Sequence, residues 1–76
     1  MRFSIENEIA INDGNGYIIV EIFDKDTGIY DYYIYLSGYP FCHVFGVQEH
    51  DRLSTEELTN LYFDGYFDTE IEHNFC

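Results

Sequence analysis

Three clusters of turn-forming residues punctuate the first half of the chain, and their spacing leaves room only for short segments joined by tight connections. They are Asn12-Asp13-Gly14-Asn15-Gly16, Asp24-Lys25-Asp26-Thr27-Gly28 and Ser37-Gly38-Tyr39-Pro40. Asn, Asp and Gly tolerate positive φ, and Pro stops a strand, so each cluster marks a reversal of the chain. Residues 2–11 alternate, with Phe3, Ile5, Asn7, Ile9 and Ile11 on one face and Arg2, Ser4, Glu6, Glu8 and Ala10 on the other. A period of two predicts a half-buried strand. Residues 17–23 are apolar on both faces and suit a central strand. Residues 29–36 are aromatic on both faces: Tyr30, Tyr32, Ile34 and Leu36 share one, and Asp31, Tyr33 and Tyr35 share the other. Residues 41–47 read as a shorter fourth strand or as an apolar loop closing the core.

Beyond residue 50 the period changes. Ser54 and Glu57 have the spacing of a capping box, preceded by Leu53 as a possible staple residue. Leu58, Leu61 and Tyr62 then form one stripe of a short helix over about 54–64, with Gly65 as its stop. The tail, 66–76, fits a last strand, a second helical turn or an adaptive arm. The chain therefore reads as one domain, 1–76, of α+β class: an antiparallel sheet of three to four strands with one short helix packed on a face.

Charge sets this domain apart. Fifteen Asp and Glu face only Arg2, Lys25 and Arg52, a formal net charge of −12 over 76 residues. Self-repulsion on that scale opposes compaction, and ordinary surfaces intersperse both signs. Aromatic residues make up 20% of the chain, which separates it from the disordered acidic tails that lack them. The acids are thus expected on a folded scaffold. Glu6 and Glu8 lie two apart on a strand, with Glu21 and Asp31 on the next two strands. Asp24 and Asp26 cap a hairpin, Glu49 and Asp51 precede the helix, Glu56, Glu57 and Asp64 ride on it, and Asp68, Glu70 and Glu72 alternate in the tail. Like charges spaced by strands about 4.8 Å apart resemble the spacing of phosphates along a nucleic acid. A plain solvated surface would place acids similarly, but does not account for the scarcity of Lys and Arg. Tyr33 and Tyr35 beside these carboxylates are candidate anchors for a partner.

In size, charge and Tyr- and Phe-rich composition the whole chain resembles the small acidic proteins of phages and mobile elements that block CRISPR effectors or restriction enzymes. The resemblance rests on no motif. It implies a binding inhibitor, of anti-CRISPR or anti-restriction type, that mimics DNA in the basic site of another protein. Glu6, Glu8, Glu21, Asp24, Asp26, Asp31, Glu56, Glu57, Asp68, Glu70 and Glu72 would carry the electrostatics. The expected partner is a basic nucleic-acid-binding protein such as a CRISPR effector, a restriction enzyme or another nuclease, met as a monomer or homodimer with no direct nucleic-acid binding. Acidic immunity proteins or antitoxins share this physics, and a small assembly module pairing through a sheet edge is the alternative of a different class.

No reaction is expected. The chain has no nucleophile elbow, phosphate loop or zinc-protease motif. Asp13-Gly14-Asn15-Gly16 resembles part of a calcium loop, but Ile11 and Ile22 occupy ligand positions, so it reads as a turn. Cys42, His43, His50, His73 and Cys76 have zinc-ligand chemistry without a CxxC, and Cys42 and His43 point apart on a strand. No cofactor or metal is assigned. No apolar run matches a signal peptide of about 7–15 residues or a span of about 20. A cytoplasmic protein of a bacterial host cell, with reduced thiols, is expected.

Overall fold

The computed structural model describes residues 3–75, so the expectations for Arg2 and Cys76 fall outside the described residues. Four strands, β1 (Phe3–Ala10), β2 (Ile18–Asp24), β3 (Ile29–Tyr35) and β4 (Cys42–Gln48), form one sheet. Its order is β1-β2-β3-β4, with every neighbouring pair antiparallel. A 3₁₀ turn (Glu49–Asp51) leads to helix α1 (Thr55–Phe63) and then α2 (Asp68–Asn74). The α+β meander is thus as read, and the 41–47 segment is a strand. The tail is a second short helix.

Both edge strands carry a bulge. In β1, Ile5 pairs with Ile22 but Asn7 pairs with Glu21, so Glu6 is an extra residue. That insertion shifts the alternation by one and reverses the face of everything before it. Ile9 and Ile11 point into the core, whereas Phe3 and Ile5 point to the opposite face, Ile5 being 56% exposed. The single continuous apolar face expected for residues 2–11 is therefore corrected to two half-faces. In β4, Tyr32 pairs with Phe45 and Tyr33 with His43, which leaves Val44 as the extra residue. Val44 and Phe45 consequently both pack toward the core.

The core lies on one side of the sheet. Ile9, Ile11, Ile19, Tyr30, Tyr32 and Ile34 meet Leu58 of α1, Phe67 and Phe75. α1 is held to the β1 side by Asn7, whose Nδ2 donates to Thr55 Oγ1 at 3.2 Å, and by the Tyr62 hydroxyl, which donates to Asp13. α2 packs against β4. The tail therefore joins α1 on the same layer, and among the described residues no element covers the other side of the sheet.

The helix ends follow local chemistry. Ser54 Oγ accepts from the Glu57 N–H at 3.2 Å, and Glu57 Oε1 accepts from the Ser54 N–H at 3.1 Å. This is the predicted capping box. At the other end Tyr66 N–H donates to Leu61 O and Gly65 N–H to Tyr62 O, with Gly65 at φ +87°. That is a Schellman turn, and it needs the left-handed backbone that glycine adopts without strain.

Candidate functional site

The expected array of Glu6, Glu8, Glu21 and Asp31 across the sheet is divided by register. Glu8 lies opposite Val20, and Asp31 opposite Ile22, so these two acids share the uncovered face. Glu6 stands in the bulge. Glu21 pairs with Asn7 and Tyr32 on the core side and is 1% exposed. Its place on the surface is corrected: β2 is apolar on both faces and gives no phase by which its one acid could be assigned.

A buried carboxylate needs compensation, and Glu21 has three donors. Arg52 Nη2 donates to Oε1 at 2.8 Å and Nε to Oε2 at 3.2 Å, a fork-on-carboxylate pair. The Tyr32 hydroxyl donates to Oε2 at 2.7 Å and accepts the Leu53 N–H at 3.0 Å. The Arg52 guanidinium also sits 4.6 Å from the centre of the Tyr30 ring, within cation–π range. Burial, and then the bond to Glu21, push the Tyr32 phenol well above its ordinary range. The same bond raises Arg52 further. Sequence reading missed this cluster; its signal was an acid inside an apolar run and a lone Arg before the helix.

The remaining carboxylates all reach solvent. Asp24 and Asp26 stand at the β2–β3 hairpin, where Asp24 Oδ1 also accepts the Asp26 N–H at 2.9 Å. Glu56 and Glu57 lie in the first turn of α1, Asp68 and Glu70 in that of α2, and Glu72 one turn on. Glu49 and Asp51 flank His50, which meets Asp51 at 3.3 Å. The acids therefore form a shell over the hairpin tip, the β1 edge and the helix layer, with Glu8 and Asp31 on the bare face. Among the described residues the only ion pair made by Lys or Arg is Arg52–Glu21.

The bare face of the sheet is the second feature. Ile5, Ile18 and Ile22 form its aliphatic half around Val20, which is only 1% exposed, and Tyr33 and Tyr35 form its aromatic half. Phe41 packs edge-on to Tyr35 at 4.7 Å and lies 6.2 Å from Tyr33. His43 is edge-on to Tyr33 at 5.0 Å, and its Nε2 lies 2.9 Å from Asp31 Oδ1. Gly46 makes this last contact possible, because a Cβ there would stand 2.6 Å from that same Oδ1. Burial, then the Asp31 charge, raise the Tyr33 phenol. Of the predicted anchors, Tyr33 and Tyr35 thus stand together beside Asp31, as their alternation required.

Among the described residues the zinc-ligand candidates do not come together. Cys42 is half-buried on the core side, its thiol raised by burial and then by the Glu70 charge, while His43 projects from the opposite face. Among the described residues no three His, Cys, Asp or Glu converge to hold an ion. Asp13 instead ties its own turn, accepting from the Asn15 backbone and side chain. A groove of about 330 Å³ runs between β1 and the start of α1, lined by Asn7, Glu21, Arg52, Ser54 and Glu57 among others. Those polar groups are engaged with one another: Ser54 with Glu57, Glu21 with Arg52, Asn7 with Thr55. Among the described residues no helix is long and apolar enough to cross a membrane. Comparison with protein-family models, with curated proteins and with solved structures finds no match.

Proposed function

We propose that the protein is a binding inhibitor that occupies the basic nucleic-acid-binding site of another protein, in the manner of anti-CRISPR and anti-restriction proteins. The observation that carries this reading is the use made of Arg52. One of the chain's three cations is paired with the buried Glu21, leaving fourteen solvent-reaching acids against Arg2 and Lys25. The negative field is thus left standing on a scaffold of a sheet and two short helices, the first of them capped by Ser54 and Glu57. A cationic cleft built for phosphates is attracted to such a surface, and association is fast and weakened by salt. The bulges in both edge strands interrupt the pairing row that a sheet-edge assembly module would need. The reading assigns no catalysis and no cofactor.

The test is competition. Labelled duplex DNA bound to a CRISPR effector or a restriction endonuclease is titrated with the protein at low salt. Displacement that weakens steeply with salt, and is lost on changing Glu56, Asp68 and Glu72 together to Lys, supports the proposal. Displacement by that variant equal to that of the parent refutes it.

A further inference from the structure

We propose that the bare face of the sheet is a platform for arginine side chains of a cationic protein partner. Tyr33, Tyr35 and Phe41 supply the rings, and Asp31 and Glu8 supply the carboxylates. The inference rests on the proposed function and assigns it a contact surface.

The covered side of the same sheet already displays this mode of capture. There Glu21 and Tyr30, on adjacent strands, hold one guanidinium: the carboxylate takes the fork at 2.8 and 3.2 Å, and the ring lies 4.6 Å beneath it. The partner strands present the same pair of groups on the bare side. Asp31 and Tyr33 stand two residues apart on one face of β3, and Glu8 lies in the row that runs through Val20 to Tyr33 and His43. What meets them there is the His43 imidazole, at 2.9 Å from Asp31 and 5.0 Å from Tyr33, on an edge strand. No Lys or Arg among the described residues stands in those rows.

The chemistry selects arginine over lysine. A guanidinium is planar, forks onto a carboxylate and stacks on a ring; an ammonium is a hydrated point charge that does neither as well. A diffuse acidic shell discriminates far less between equal charges. Selectivity between the two therefore separates a built face from bulk charge. A second copy of this chain is a poor occupant, because it would bring Glu8 and Asp31 against its own like charges within a field of −12.

The experiment is a titration of the isotope-labelled protein with deca-arginine and with deca-lysine at low salt, followed by backbone and aromatic NMR. Three variants are compared: Tyr33→Leu, Phe41→Ala, and the helix-layer pair Glu56→Lys/Glu72→Lys. Phe41 precedes β4 and is exposed, so its removal leaves the core intact. The expected result is about tenfold tighter binding of deca-arginine, with shifts at Glu8, Asp31, Tyr33, Tyr35 and His43. Tyr33→Leu and Phe41→Ala should bring the arginine peptide down to the lysine level, whereas the helix-layer variant weakens both peptides alike. Equal affinities, with shifts confined to the helices, overturn the platform and leave the inhibitor reading standing. Binding of neither peptide overturns both. Sedimentation showing a dimer, with the same face shifted as concentration rises, overturns the assignment in favour of a second copy.

Discussion

Arg52 and Glu21 are joined through two hydrogen bonds across 31 positions of sequence, with the Glu21 side chain 1% and the Arg52 side chain 46% exposed. Removing one partner of a buried pair leaves an uncompensated charge, which is the costly direction. Arg52→Ala should therefore lower stability by about 3 kcal/mol, a large part of the roughly 4–11 kcal/mol expected for 76 residues. Glu21→Gln leaves the exposed head of Arg52 free to find water and should lower it by about 1–2 kcal/mol. Urea unfolding midpoints of the two variants, at unchanged m-value, check the order.

Tyr62 and Asp13 predict stability at both ends of the pH scale. Burial, then the bond to Asp13, push the Tyr62 phenol from 10.0 to about 12. Between those values the unfolded chain has lost a proton that the folded chain keeps, so stability falls as pH rises through the window. The Tyr62 bond, then the Asn15 N–H, hold Asp13 below its ordinary 3.8. Its contribution is complete above that value and is lost as pH falls through the lowered pKa. Tyr62→Phe should flatten both limbs, and a tyrosinate absorbance titration of the parent should show one residue ionising near 12.

Salt should act with opposite signs on folding and on binding. The molecule measures 34 × 24 × 19 Å, so at about 0.01 M salt, where the screening length is ~30 Å, its carboxylates repel across the whole domain. Raising salt to about 0.15 M shortens that length to ~8 Å and should raise the thermal midpoint by about 5 °C. Affinity for a cationic partner should fall over the same range. Calorimetry and the DNA-competition titration measure the two trends.

The ends of α1 should be separable in energy. Ser54→Ala removes the cap on the Glu57 N–H and should cost about 1 kcal/mol. Gly65→Ala places a Cβ at φ +87° and 2.9 Å from Asp68 Oδ2, so it disturbs both the α1 stop and the start of α2. Its cost should be about 1–2 kcal/mol. Chemical denaturation of each variant tests the ranking.

The strands and their connections were readable because turn residues at 12–16, 24–28 and 37–40 impose reversals whatever the tertiary context. The capping box at Ser54 and the stop at Gly65 were readable for the same local reason. Two kinds of information were not local. The bulge at Glu6 changes the face of Phe3 and Ile5 without changing a single residue of the alternation, so only the partner strand reveals it. Glu21 sits in a strand that is apolar on both sides, and its inward assignment depends on Arg52, far along the chain. The tail illustrates a third case: Phe67 and Phe75 become a helical layer because Tyr17, Tyr39 and Tyr66 offer rings to pack against. Tyr33 and Tyr35 were foreseeable as a pair, but the room Gly46 gives to Asp31 was not.

The strictly sequential strand order has a kinetic corollary. Each strand pairs with its immediate predecessor, so the sheet grows by zipping hairpins, with small loop-closure penalties and early local contacts. Leu58, Phe67 and Phe75, however, belong to the last third of the chain. During synthesis a nascent sheet would present the greasy surface of its core side until those residues emerge from the ribosome. Mutual repulsion between chains already rich in carboxylates would keep such half-made sheets from sticking to one another.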